Sequence, residues 1–136
     1  MISTNPAWDE FLRSHRWAVL TTLRATGSPV SAVVAYALDG DELVVSTPQA
    51  TFRHASIARD ERVNLCAFSN QEPFNFVAVE GRCGIERTDL VRTTRLVFKA
   101  IEGTGYEEPE DLPGWLAKQR RVILRITPMR VYGVIR

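Results

Sequence analysis

The stretch WAVLTTLRATGSPVSAVVAYALDGDELVVST, Trp17–Thr47, decides the fold. It holds three apolar runs rich in β-branched residues: Trp17–Ala25, Val30–Leu38 and Leu43–Thr47. Thr26-Gly27-Ser28-Pro29, between the first two, is turn chemistry. Asp39-Gly40, between the last two, is a hairpin signal. Both links are too short for a crossover, so the three runs are expected as an antiparallel meander.

The same reading extends in both directions. Upstream, Asn5-Pro6 is a helix start, with Asn as N-cap and Pro at the first helical position. Trp8, Phe11 and Leu12 share a face, and Asp9 and Glu10 suit the positive end of the dipole. Downstream, residues Thr51–Glu61 have a short helical face of Phe52, Ala55, Ile57 and Ala58. Arg62–Asn70 and Phe74–Arg87 read as strands, with Gly81 and Gly84 predicting a bulge or bend in the second. Thr88-Asp89 is expected to cap a helix whose apolar residues, Leu90 to Ile101, recur at helical spacing. A polar loop follows, then one helical turn at Trp115–Gln119. Arg121–Pro128 and Arg130–Ile135 close the chain as two strands. About seven short antiparallel strands with two longer helices predict a barrel or sandwich.

Composition narrows the chemistry. The 136 residues fit one domain with a real core, residues 1–136 forming a single unit. A net charge of +1 argues against a generic nucleic-acid binder held by bulk electrostatics. No run of apolar residues is long enough for a membrane span, and no signal-like core opens the chain, so a cytoplasmic protein is expected. The two cysteines, Cys66 and Cys83, sit in apolar β-like runs and read as buried free thiols. With two histidines, His15 and His54, there is no zinc spacing. There is no dinucleotide fingerprint, no P-loop and no nucleophile elbow. An enzyme built this way relies on a bound cofactor. The acid-free segment Lys118–Arg136 carries Lys118, Arg120, Arg121, Arg125, Arg130 and Arg136, cations available to an anionic ligand.

Four segments, in order, carry a resemblance. These are FLRSHRWAVLTTLRATGSP, LVVSTPQATFRHASIARDERVNL, FNFVAVEGRCGI and RRVILRITPMRVYG. The pattern covers nearly the full chain and resembles the pyridoxamine-phosphate-oxidase-like superfamily of flavin and deazaflavin proteins. Its shortness and its opening are most similar to the coenzyme F-420 group within that superfamily. The resemblance implies a mainly β split β-barrel, homodimeric, with a cofactor at each interface. The implied cofactor is F-420, a deazaflavin with a phosphate and a glutamate tail; FMN is the alternative. The implied function is hydride transfer from reduced deazaflavin to a small conjugated or heteroaromatic substrate. An FMN oxidase or reductase, or a flavin carrier without turnover, remains open beside it.

The resemblance also implies a site. Arg53 in TFRHASI matches the family's basic residue at the cofactor phosphate, and Ser46 and Thr47 match strand-end positions offering hydroxyls and amides. Thr51 stands where relatives often carry a second cation, a departure that either weakens the site or moves the load to His54. A helix N-terminus at this place adds free N–H groups and a positive dipole end. Ala32, Val33 and Val34 match positions lining the flavin ring, and Phe74 and Phe76 match aromatics contributed across the dimer. Trp115 and Arg121 are looser candidates for the same cleft, and His54 or solvent is the expected proton donor.

Overall fold

The computed structural model describes residues 1–136. Its centre is one seven-stranded antiparallel sheet: β1 Trp17–Leu23, β2 Pro29–Ala35, β3 Ala37–Asp39, β4 Glu42–Pro48, β5 Arg62–Phe68, β6 Phe76–Glu86 and β7 Arg121–Val134. The spatial order is β2-β1-β5-β6-β7-β4-β3. The two edges, β2 and β3, are consecutive in the chain and separated only by Tyr36. The sheet therefore curls until its ends meet, which is a split barrel.

That topology corrects the expected meander. Val30–Leu38 is not one strand. It breaks at Tyr36, whose backbone N–H donates to Arg16 O and whose hydroxyl donates to Leu12 O at 2.7 Å. The side chain is fully buried. Pinning Tyr36 inward sends β2 along β1 and turns β3 onto β4, so Leu43–Thr47 pairs with β3 and β7 rather than with β2.

Two further expectations change. The two C-terminal runs form one strand, β7, because Met129 is absorbed as an extra residue: Glu80 faces Arg130 and Gly81 faces Pro128. The bulge thus falls beside Gly81, where a Cβ would sit 2.5 Å from Thr127 O, whereas Gly84 has open space around it. The four expected helical segments form as α1 Pro6–Ser14, α2 Phe52–Arg59, α3 Leu90–Ala100 and α4 Leu112–Lys118, the last beginning before the single turn expected at Trp115–Gln119. Asn5 caps α1 as expected, accepting from Ala7 N and Trp8 N. Asp89 occupies the cap position of α3 but makes no side-chain cap bond; its carboxylate pairs with Arg92 instead.

Strand alternation sorts the side chains. Leu20, Leu43, Val45, Leu65, Val77, Val79, Leu124 and Ile126 fill the barrel, with Phe11 and Leu12 of α1 and Ile57 of α2 packed on the same core. On the outer face, Ala37, Val44 and Ile123 pack under Val97 of α3. Beside them, Arg125 is enclosed by Glu86, Glu42 and Asp39 at 2.7, 3.3 and 2.9 Å. Asp39 also binds Arg92, tying α3 to the sheet.

The rest of the outer face has no helix over it. Register aligns Val33, Val19, Cys66, Ala78 and Tyr132 in one row across β2, β1, β5, β6 and β7. In the adjacent row Phe68 faces Phe76, which faces Val134, and Trp17 faces Ala35, where the row runs in beside α3. Val33, Tyr132 and Val134 are exposed.

Candidate functional site

The site begins where β4 hands over to α2. Ser46 and Thr47 lie near the end of β4, and the turn after Pro48 delivers Thr51 as the N-cap of α2. Thr51 Oγ1 accepts from His54 N, donates to Pro48 O and lies 3.3 Å from Thr47 Oγ1. Thr51 therefore holds the junction together. Cap geometry leaves the first N–H groups of α2 free, at the positive end of its dipole.

Arg53, in the first turn, donates from Nη2 to Thr47 Oγ1 at 3.2 Å and packs 5.3 Å from the Phe52 ring. Arg121 arrives from the first residue of β7, paired in register with Pro48. Its guanidinium stacks 4.4 Å over Trp115 of α4, and Nε donates to Gln119. Burial pulls both guanidiniums below the ordinary arginine range, and the charge of Arg53 adds to the effect at Arg121. No carboxylate offsets either charge. Arginine stays protonated in this situation, so the junction holds two partly buried cations that repel each other.

The hydrogen-bond inventory says the same thing. Five buried side-chain atoms have no partner: Thr22 Oγ1, Ser46 Oγ, Arg53 Nε, Thr94 Oγ1 and Arg121 Nη1. Ser46, Thr94 and Arg121 line a single cleft of about 340 Å³ between the outer sheet face, α3, α4 and the loop before α4. Arg53 lies beside Arg121, and only Thr22 belongs elsewhere, in β1. Buried donors are rarely left unpaired unless something binds them. An anion with several oxygens fits this set.

The other expected residues are distributed as follows. His54 Nε2 accepts from Arg87 Nη2 at 3.1 Å, because arginine can only donate; the ring proton is then on Nδ1. Val34 points into the barrel core, so of the three expected β2 residues only Val33 presents its side chain on the outer face; its neighbour on that face, Ala35, lines the cleft, and Ala32 is half-buried on the core side. Phe76 is half-buried, edge-on to Tyr132, and Phe74 stands exposed in the loop before β6. Phe76 pairs with Val134 while Arg121 starts β7, so within one chain they lie at opposite ends of that strand. Arg125 shares a face of β7 with Arg121, but its three carboxylates remove it from any anion seat. Thr94 was hidden in the sequence as part of an apolar helix face. Its hydroxyl was the signal: the neighbouring Thr93 bonds back to Asp89 O at 2.7 Å, and Thr94 has no such bond.

No three potential metal-ligating side chains cluster, and no helix is long and apolar enough to cross a membrane. Both cysteines are free; burial pushes the Cys83 thiol up to about 12 and raises that of Cys66.

The chain is thus a curled antiparallel split barrel with an uncompensated cation pair at a strand-to-helix junction. The chain belongs to the pyridoxamine 5'-phosphate oxidase family, whose model matches residues 4–135. No curated protein matches it. Among solved structures, a conserved hypothetical protein of Mycobacterium tuberculosis is similar with a TM-score of 0.79 at 22% identity, over 96% of this chain and 84% of that one. An F-420 reductase is similar with a TM-score of 0.77 at 19% identity, over 95% of this chain and 98% of that one. An FAD-binding protein of Mesorhizobium loti is similar with a TM-score of 0.73 at 17% identity, over 96% and 94%. At these identities the structures share the fold.

Proposed function

We propose that this chain is a coenzyme F-420-dependent reductase acting on a small conjugated or heteroaromatic substrate. The observation that carries the reading is the pair Arg53 and Arg121, two partly buried guanidiniums with open donors and no carboxylate partner. They fit the cofactor phosphate, joined by the free N–H groups at the start of α2. Further cations stand at the same end. Arg120 O accepts from Gln49 N, which puts Arg120 beside the β4–α2 junction, and Lys118 ends α4; both are exposed. They suit a glutamate tail, whereas Arg130 and Arg136 lie near the far end of β7. When bound, the reduced deazaflavin supplies the hydride. The chain's part is to fix the phosphate, orient the ring along the outer face at Val33 and Ala35, and exclude water. With His54 Nε2 engaged by Arg87, solvent is the simpler proton source.

Assembly follows from the bare sheet face. Two copies pairing through the rows around Cys66 and Phe76 would bury this apolar surface in an isologous interface. Phe74 and Phe76, remote from Arg53 in their own chain, would then reach the partner's cofactor.

FMN is the second reading, favoured by the convergence of two guanidiniums, which matches a terminal dianionic phosphate. Titration with both cofactors over a range of salt separates the two. F-420 should bind more tightly at low salt, and its advantage should shrink as salt screens Lys118 and Arg120. Equal affinities without salt dependence would move the assignment to FMN. Absence of binding by either would sink the reductase reading.

A further inference from the structure

The cleft beside the cation pair is more than the cofactor phosphate needs. Its walls are Trp115, Phe98 and Tyr106, with the Phe98 and Trp115 rings edge-on at 5.7 Å. Three buried polar atoms without partners meet it from three different elements: Ser46 Oγ from β4, Thr94 Oγ1 from α3 and Arg121 Nη1 from β7. Thr94 is 1% exposed, and its hydroxyl has no protein partner. Glu107, the one acid in the lining, is exposed. A volume of about 340 Å³ suits a small molecule.

The geometry points to this cleft as a binding site for a flat, conjugated carboxylic acid, with Thr94 as a specificity-determining residue. One guanidinium N–H and two hydroxyls take the carboxylate oxygens, and the aromatic walls take the conjugated body. The biological role, that of the acceptor substrate, rests on the reductase reading, but the binding itself does not.

The test uses cofactor-free full-length protein and calorimetric titration with trans-cinnamate, its neutral isostere cinnamamide, and inorganic phosphate. Cinnamate should bind more tightly than cinnamamide. Thr94→Val should weaken cinnamate about tenfold, the loss of one hydrogen bond to a charged group, while phosphate affinity stays unchanged. Thr94→Ser, which keeps the hydroxyl, should bind cinnamate like the parent. Arg53→Gln should weaken phosphate and spare cinnamate. Cinnamate binding no tighter than cinnamamide, or insensitive to Thr94→Val, would overturn the site. So would an equal loss of phosphate and cinnamate in Thr94→Val, since the cleft would then be part of the phosphate seat. Because no cofactor is present, none of these outcomes depends on which flavin the chain uses.

Discussion

Arg53→Met should make the protein more stable and less able to bind phosphate. In the parent, Arg53 Nε is buried without a partner and its charge faces Arg121. A buried unsatisfied polar group costs about 1–3 kcal/mol. Met keeps most of the side-chain length and the packing on Phe52, and removes both the orphan donor and the repulsion. It also gives up the 3.2 Å bond to Thr47 Oγ1, worth about 1 kcal/mol. The net is a gain of about 1 kcal/mol, or a rise in Tm of about 3–5 °C for a domain of this size. Binding moves the other way. Loss of a charge-assisted bond should weaken phosphate by about 1.5–3 kcal/mol. Thermal unfolding monitored by fluorescence over a phosphate series reads both effects. The parent's Tm should climb with phosphate by mass action, while the variant should start higher and stay nearly flat. A variant that starts lower than the parent and climbs equally with phosphate would refute the reasoning, because the charge would then be structurally satisfied and outside the site.

Other outcomes follow from the same contacts. Tyr36→Phe removes the bond to Leu12 O at the closure of the barrel and should cost about 1–2 kcal/mol in urea unfolding. Asp39, held below the ordinary carboxylate range first by its bonds from Arg92 and then by those from Arg125, contributes stability that is present above about pH 4 and is lost as pH falls through its lowered folded value. Asp39→Asn should therefore be less stable than the parent at pH 7, and the gap should close in strongly acidic buffer. Gly81→Ala places a Cβ 2.5 Å from Thr127 O and should destabilise by about 1–3 kcal/mol, visible as a lower urea midpoint. Cys66, half-exposed at the centre of the bare outer face, should react with a thiol reagent when the protein is dilute and be protected at concentrations where sedimentation shows a dimer. Cys83, inside the barrel with its thiol pushed up to about 12, should stay unreactive under both conditions.

The chain itself specified much of this. Apolar alternation with turn residues at Gly27 and Gly40, the Asn5-Pro6 helix start and the length of the links were enough for an antiparallel barrel or sandwich, because these are local signals. The strand, hydroxyls and cation around Arg53 could be placed at one strand-to-helix junction for the same reason, since they are consecutive, whereas the capping role of Thr51 appears only in the structure. The break at Tyr36 was not legible, since it is set by partners at Leu12 and Arg16 that only the closed barrel supplies. Nor does sequence say which arginine is free. Arg121 and Arg125 are four residues apart on the same face of β7; Asp39, Glu42 and Glu86 converge on one of them, while Trp115 and Arg53 flank the other. Charge and period are written along the chain, but neutralisation depends on which side chains lie a few ångströms away, and that is decided by the order in which the strands pair.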